Sequence, residues 1–286
     1  MKAIIWGADG QDGFYLDALL KQQGYEVIPV TKEDAGTISI SDYSHVSRLI
    51  KQSKPDFIFH LAANSTTQHY AWQENHEIIS TGTLNILESV KEYSPSTKIF
   101  LSGSGLQFKN TGQPVSETDP FDASSIYSVS RIHTVYAARY YRQLGIKSYV
   151  GYFFNHDSPL RSERHINKKI IEAAKRIAGG SKEKLEIGDW AVKKEFGYAG
   201  DIVKGIWALV QQDKAVEAMI GTGKAHAIEE WLEICFSLQG LNWRDHVVQN
   251  KGFIPEYEIL VSNPTLINSI GWKHETDIKT LAKMMS

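Results

Sequence analysis

The sequence is short of the features that mark several large functional classes. It holds one cysteine, Cys235, in 286 residues, so no internal disulfide can form, and the balance tips towards a reducing cytoplasm over a disulfide-stapled secreted scaffold. Lysines and arginines number 31 against 33 acids, a net charge of -2. A chain so nearly neutral lacks the basic footprint of a nucleic-acid binder or of a protein held on an anionic membrane surface. Long apolar runs are missing as well: stretches such as 150–154 and 206–210 fall far short of the roughly 20 residues that a bilayer span needs. The apolar start at residues 3–6 meets Gly7, Asp9 and Asp12 too soon to act as the core of a signal peptide.

Metal and P-loop chemistry find no support either. His76 and Glu77 have no histidine three residues on, and a single cysteine offers no cluster, so a zinc hydrolase fails on spacing and no metal site is expected. Gly221, Thr222, Gly223 and Lys224 are followed by Ala225, with Ala218 where a P-loop needs its first glycine, which reads as a turn. There is no internal repeat and no low-complexity stretch.

What the chain does contain is 42% hydrophobic and 22% charged residues, an ordinary globular composition at a length near the upper limit for one core. Short apolar runs alternate with helical patterns through the first half: strands over 2–6, 26–30, 57–61, 98–101 and 147–154, and helices over 12–23, 42–52, 82–93 and 125–144. This alternation predicts a doubly wound α/β fold of the Rossmann type with a parallel sheet. Beyond Asn155 the pattern loosens, with helices over 166–177, 201–212 and 227–238, and looks too irregular to continue the sheet. The expected organisation is a dinucleotide-binding domain over 1–155 and, over 156–286, mainly a substrate lobe with segments returning to the first domain. Chemistry belongs in the cleft between them.

The most specific motif is Gly7, Ala8, Asp9, Gly10, Gln11, Asp12, Gly13, between the first strand and the first helix. Gly7 allows a tight turn, Gly10 lets the backbone approach a pyrophosphate, and Gly13 lets helix and strand pack closely, while the helix N-terminus offers free N–H groups to an anion. After the second strand come Lys32, Glu33 and Asp34. Lys32 favours NADP(H) over NAD(H), because a basic side chain there meets a 2'-phosphate. Tyr127 and Arg131 lie one turn apart on a helix predicted to start at Ser124 or Ser125, and a cation beside a phenol eases proton transfer near neutral pH. Ser102 and Ser104, after the strand over 98–101, are candidates to hydrogen-bond the same substrate oxygen. Trp190 is a candidate to stack on a base or sugar.

GADGQDG over 7–13, the strand end His60, Leu61, Ala62, Ala63, and Tyr127 in a YxxxR setting resemble the extended short-chain dehydrogenase/reductases that modify nucleotide sugars. Within them the chain is most similar to the GDP-mannose 4,6-dehydratase subgroup, through Phe153 to Arg161, Asn167 to Ile170 and Lys193 to Gly197, and the likeness covers nearly the whole chain. The resemblance implies that Gly7, Gly10, Gln11, Asp12 and Gly13 hold the cofactor, that Leu61, Ala62 and Ala63 wall it, and that Asn155, Arg161, Lys169 and Lys194 contact the diphosphate of a GDP-sugar. It also implies a homodimer or homotetramer. Two positions depart from the family pattern. The catalytic lysine is Arg131, whose planar guanidinium cannot copy an ammonium's contacts, and the Thr-Ser-Glu triplet aligns with Gly103, Ser104, Gly105. Gly105 cannot take a C5 proton. The expected activity is therefore redox chemistry at C4 of a GDP-linked sugar, as 4-keto reduction or C4 oxidation, with 4,6-dehydration proper or a catalytically impaired, cofactor-binding relative as alternatives.

Overall fold

The computed structural model describes residues 1–32 and 39–286. The first half forms β1 (Lys2–Trp6), α1 (Gln11–Gln22), β2 (Glu26–Val30), α2 (Tyr43–Ser53) and β3 (Phe57–His60). A short α3 (Trp72–Asn75) runs through a π-helical segment (His76–Thr81) into α4 (Gly82–Tyr93), followed by β4 (Lys98–Ser104), α5 (Ile126–Gln143) and β5 (Ser148–Phe153). The second half contributes β6 (His156–Asp157), α6 (Ile166–Ala178), β7 (Leu185–Ile187), β8 (Lys193–Lys194), β9 (Gly197–Tyr198), α7 (Ala199–Val210) and β10 (Glu217–Ile220). Its last main helices are α8 (Ile228–Ser237), α9 (Thr265–Ser269) and α10 (Ile278–Met285).

Local chemistry explains where these elements begin. Asp42 caps α2 by accepting from the Ser44 N–H at 2.8 Å, and Ser125 caps α5 by accepting from the Ser128 N–H at 3.1 Å, each satisfying a donor that the first helical turn leaves free. All four residues of β3 are buried, three apolar residues followed by His60, as in a strand covered on both faces.

Six strands form one parallel sheet in the order β2-β1-β3-β4-β5-β10. α1 and α7 cover one face, and α2, α4 and α5 the other. Because β1 has β2 on one side and β3 on the other, the crossovers diverge there and open a crevice at the strands' carboxyl ends. Two expectations need correction. The second half does continue the sheet, since β10 pairs in parallel with β5, Ala218 opposite Gly151; its run of four residues is short, yet β5 offers an open edge and Glu217 anchors it. β4 also extends three residues past 101, because Ser102, Gly103 and Ser104 pair with Gly151, Tyr152 and Phe153 of β5. A separate apolar core, including Ile170, Trp231, Phe236 and Leu281, gathers α6, α8 and α10. Among the described residues no helix is long and apolar enough to cross a membrane.

Candidate active site

The turn after β1 is built on close approach. Gly7 has φ +86°, and a β-carbon there would lie 2.7 Å from the Ala62 nitrogen, so the turn sits directly on the backbone at the end of β3. On Gly13 a β-carbon would lie 2.2 Å from the Gly7 carbonyl oxygen; only glycine lets α1 settle this deeply. Gly10 caps α1 without any side-chain hydrogen bond, leaving the first N–H groups of the helix open towards a cleft of ≈ 440 Å³. Leu61 and Ala63 line that cleft, while Ala62 serves it through its backbone contact with Gly7.

Gln11 and Asp12 line the cleft too, but their side chains reach across to the segment after β5. Gln11 donates from Nε2 to the His156 carbonyl at 3.2 Å and accepts from Ser158 Oγ at 3.0 Å. Asp12 meets His156 Nε2 at 2.9 Å. The glycine turn is thus bolted to the chain that carries Asn155 and Arg161. Lys32 stands away from the cleft lining, 3.8 Å from Glu74; Glu33 and Asp34 lie outside the described residues.

Tyr127 and Arg131 both line the cleft, as their one-turn spacing on α5 requires. The Arg131 guanidinium is buried and lies over the Tyr127 ring, 5.1 Å from its centroid, in reach of a cation–π attraction. Its Nη1 donates to the Ser102 carbonyl and, at 2.8 Å, to Ser102 Oγ. Ser102 Oγ in turn donates to the His60 carbonyl at 2.9 Å. That corrects one expectation: the single hydroxyl hydrogen of Ser102 is already used, so it has none to give a substrate oxygen. Ser104 differs. Its oxygen accepts from the Leu106 N–H at 3.2 Å, and its own O–H, which has no acceptor among the described residues, can point into the cleft that it lines. Burial, aided by the Arg131 charge, pulls the His60 imidazole down to about 3, so it stays neutral beside that guanidinium.

Among the diphosphate candidates, Asn155 and Arg161 line the cleft. Arg161 is held by Asp157, with Nε to Oδ1 at 2.8 Å, and Asp157 is held on its other oxygen by Asn167. Lys194 is buried just outside the lining, its Nζ 5.4 Å from the Phe196 ring, and its ammonium makes no hydrogen bond among the described residues. Burial draws its ammonium down to about 8, with Asp157 opposing and Arg161 adding to the fall. Lys169 goes elsewhere: its Nζ donates to the Glu186 carbonyl at 3.2 Å, outside the cleft. The reason is helical phase, because Ile170, Ile171, Ala173 and Ala174 form the buried side of α6. Trp190 also misses the cleft, packing edge-on against Trp243 at 5.2 Å. Arg164 and His165 do line it, though sequence reasoning passed over them; their place three and four residues after Arg161 was the available signal.

A profile of the GDP-mannose 4,6-dehydratase family matches residues 4–285. The chain belongs to that family. Two relatives from Arabidopsis thaliana, GDP-mannose 4,6 dehydratases 2 and 1, are 31% and 30% identical to it, each match covering 99% of this chain and 85% and 88% of theirs. Among solved structures, RMD from Pseudomonas aeruginosa complexed with NADPH superimposes with a TM-score of 0.87 at 20% identity, over 99% of this chain and 95% of that one, a likeness of fold.

Gly103 and Gly105 are closely covered by aromatic rings. A β-carbon on Gly103 would lie 2.6 Å from the Tyr152 ring, and one on Gly105 2.7 Å from the Phe154 ring. These positions do not merely lack side chains such as the threonine and glutamate expected from the resemblance. Aromatic rings occupy the space those side chains would enter, and Tyr152 is pinned there by its hydroxyl, which donates to Glu217 at 2.7 Å.

Proposed function

We propose that the protein carries out redox chemistry at C4 of a GDP-linked sugar, reducing a 4-ketone or oxidising the C4 hydroxyl. The observation that carries this reading is the closure of positions 103 and 105 by Tyr152 and Phe154, which leaves no carboxylate next to Ser104, where the resemblance puts the C5 base. The carboxylates lining the cleft are Asp9 and Asp12, both at the cofactor turn, and Asp12 is paired with His156. Dehydration needs a base for the C5 proton, whereas C4 redox chemistry needs only a hydride carrier and a proton relay.

The glycine cradle and the open N-terminus of α1 fit a nicotinamide dinucleotide, which when bound supplies or accepts the hydride. Tyr127 then gives the proton to the C4 oxygen in reduction, or takes it in oxidation, and Ser104 donates a hydrogen bond to the same oxygen. Arg131 keeps a fixed positive charge beside the phenol as the proton moves. Arg161 and Arg164 hold the diphosphate, with Lys194 adding positive charge behind the Asp157–Arg161 pair. Lys32 favours NADP(H). The apolar side chains Val129, Tyr136 and Tyr140 stand exposed along α5, with Leu84 on α4, and support a homodimer or homotetramer. The buried, unpaired Cys235 fits a cytoplasmic protein.

The test is mass spectrometry together with absorbance at the reduced-nicotinamide band, on purified protein with GDP-mannose or a 4-keto-GDP-sugar and each of NADP(H) and NAD(H). Oxidation of the reduced cofactor with gain of two hydrogens by the 4-keto-sugar is expected. Loss of water from GDP-mannose with no net cofactor change would overturn the reading in favour of dehydration. Silence with every substrate, despite cofactor binding, would point to a non-catalytic relative.

A further inference from the structure

Past Leu106 and Thr67 the cleft adjoins a second cavity of ≈ 380 Å³, which shares those residues and Leu260 with the first. Its charge is opposite in kind. Arg131, Arg161 and Arg164 line the first cavity, whereas among the described residues no lysine, arginine or histidine lines the second. Its carboxylates are Asp122 and Glu256, both on exposed residues at its rim. The Asp122 carboxylate has no hydrogen-bond partner among the described residues; only its backbone N–H is tied, to the Gln107 carbonyl at 2.8 Å. Glu256 accepts from Thr67 Oγ1 through one oxygen and keeps the other free. The unused polar capacity of this cavity is therefore mainly that of acceptors, with no cation to neutralise them.

Position along the chain relates this cavity to the reacting sugar. Ser124 and Ser125, on its wall, immediately precede the helix that carries Tyr127, and Gly105 directly follows Ser104. A ring whose reacting carbon lies at Tyr127, and whose diphosphate lies at Arg161 and Arg164, has this cavity beside it, past the Thr67, Leu106 and Leu260 that the two cavities share. We infer that the second cavity is a specificity subsite for a hydroxylated extension of the sugar, longer than the single hydroxymethyl group of a hexose. Carboxylate acceptors bind O–H donors through short, charge-assisted hydrogen bonds and repel a carboxylated sugar. The inference rests on the GDP-sugar reading above and adds to it the kind of sugar.

The test is calorimetric titration of the cofactor-loaded protein with GDP, GDP-mannose, a GDP-linked manno-heptose and GDP-mannuronic acid. One or two further hydrogen bonds to charged acceptors predict that the heptose binds about tenfold tighter than GDP-mannose, and that the mannuronic acid binds more weakly than either. In Asp122→Ala the preference falls towards unity. In Ser124→Phe, which adds bulk to the cavity wall at an exposed position whose hydroxyl makes only a 3.5 Å contact with Ser128, heptose affinity falls to that of GDP-mannose while GDP-mannose binding holds within about twofold. Equal affinity for the two sugars, or parallel losses in the variants, would overturn the subsite and leave the GDP-sugar reading standing. Binding of none of the four probes would overturn both.

Discussion

Replacing Asp12 by asparagine would remove one charge from the bolt between the glycine turn and the segment after β5 while keeping the shape of the side chain. His156 faces the Phe154 carbonyl with Nδ1 at 2.7 Å and Asp12 with Nε2 at 2.9 Å. Both partners are acceptors, so both ring nitrogens donate, and the imidazole in this setting is the charged form. Burial works against that charge, but the charge and hydrogen bond of Asp12 outweigh it and hold His156 above its ordinary value. Burial likewise opposes the Asp12 carboxylate, and His156 overcomes it, holding Asp12 below the usual range. A charge-assisted hydrogen bond contributes about 1.5–3 kcal/mol and a neutral one about 0.5–1.5. Because 20% of the Asp12 side chain stays accessible, solvent screening favours the low end, and Asp12→Asn should cost about 1 kcal/mol at pH 6.

The pH dependence fixes the sign. A raised histidine contributes stability that is full below its unfolded value, about 6.5, and is lost as pH rises through the folded one. A lowered aspartate contributes above about 3.9, and its share is lost as pH falls through the folded value. The pair therefore stabilises most between about pH 4 and 6.5, and the cost of Asp12→Asn should shrink as pH rises through the raised folded value of His156. Urea denaturation of both proteins at pH 6 and pH 9 measures this directly. A cost that is the same at both pH values would refute the charged imidazole and the argument built on it.

Tyr127→Phe should lower turnover by about two to four orders of magnitude, roughly 3–5 kcal/mol of barrier, without moving the urea midpoint, since the hydroxyl makes no hydrogen bond among the described residues; turnover within about threefold of the parent would remove Tyr127 as the proton relay. Gly13→Ala drives a methyl to within 2.2 Å of the Gly7 carbonyl oxygen and 2.6 Å of the Ala8 Cα, both backbone, so a loss of at least about 2 kcal/mol together with loss of cofactor binding is expected. A fluorescence titration with unchanged cofactor affinity would argue against the cradle. Glu217→Gln removes the carboxylate that takes Arg139, Arg142 and the Tyr152 hydroxyl together. Burial opposes the Glu217 charge, but the two arginines and the tyrosine draw its carboxyl down to about 2, so its stabilisation is present above about pH 4.5 and is lost as pH falls towards 2. The variant should lose about 2–3 kcal/mol at pH 7 and show a flatter acid limb; an acid limb unchanged from the parent would remove Glu217 as the anchor of β10.

Much of the site could be read from local pattern, because local pattern is set by local physics. Three glycines between a strand and a helix, a serine that caps, and a tyrosine and arginine four residues apart each act within a turn or two of chain, and the cradle, the start of α5 and the Tyr127–Arg131 pair all lie where those patterns put them. Tertiary structure decided everything that depends on what comes from far along the chain. The place of β10 in the sheet depends on an edge that β5 leaves open, and the fate of Lys169 and Lys194 depends on which side of each element meets a core. The Asp12–His156 contact joins residues 144 positions apart, and Ser102 turns inward because Arg131 and the His60 carbonyl claim its hydroxyl. Gly103 and Gly105 mark the division most clearly. The sequence by itself determined that no functional side chain stands there; only the packing of Tyr152 and Phe154 decided that none could enter, since the room beside a Cα is set by its neighbours in space and not along the chain.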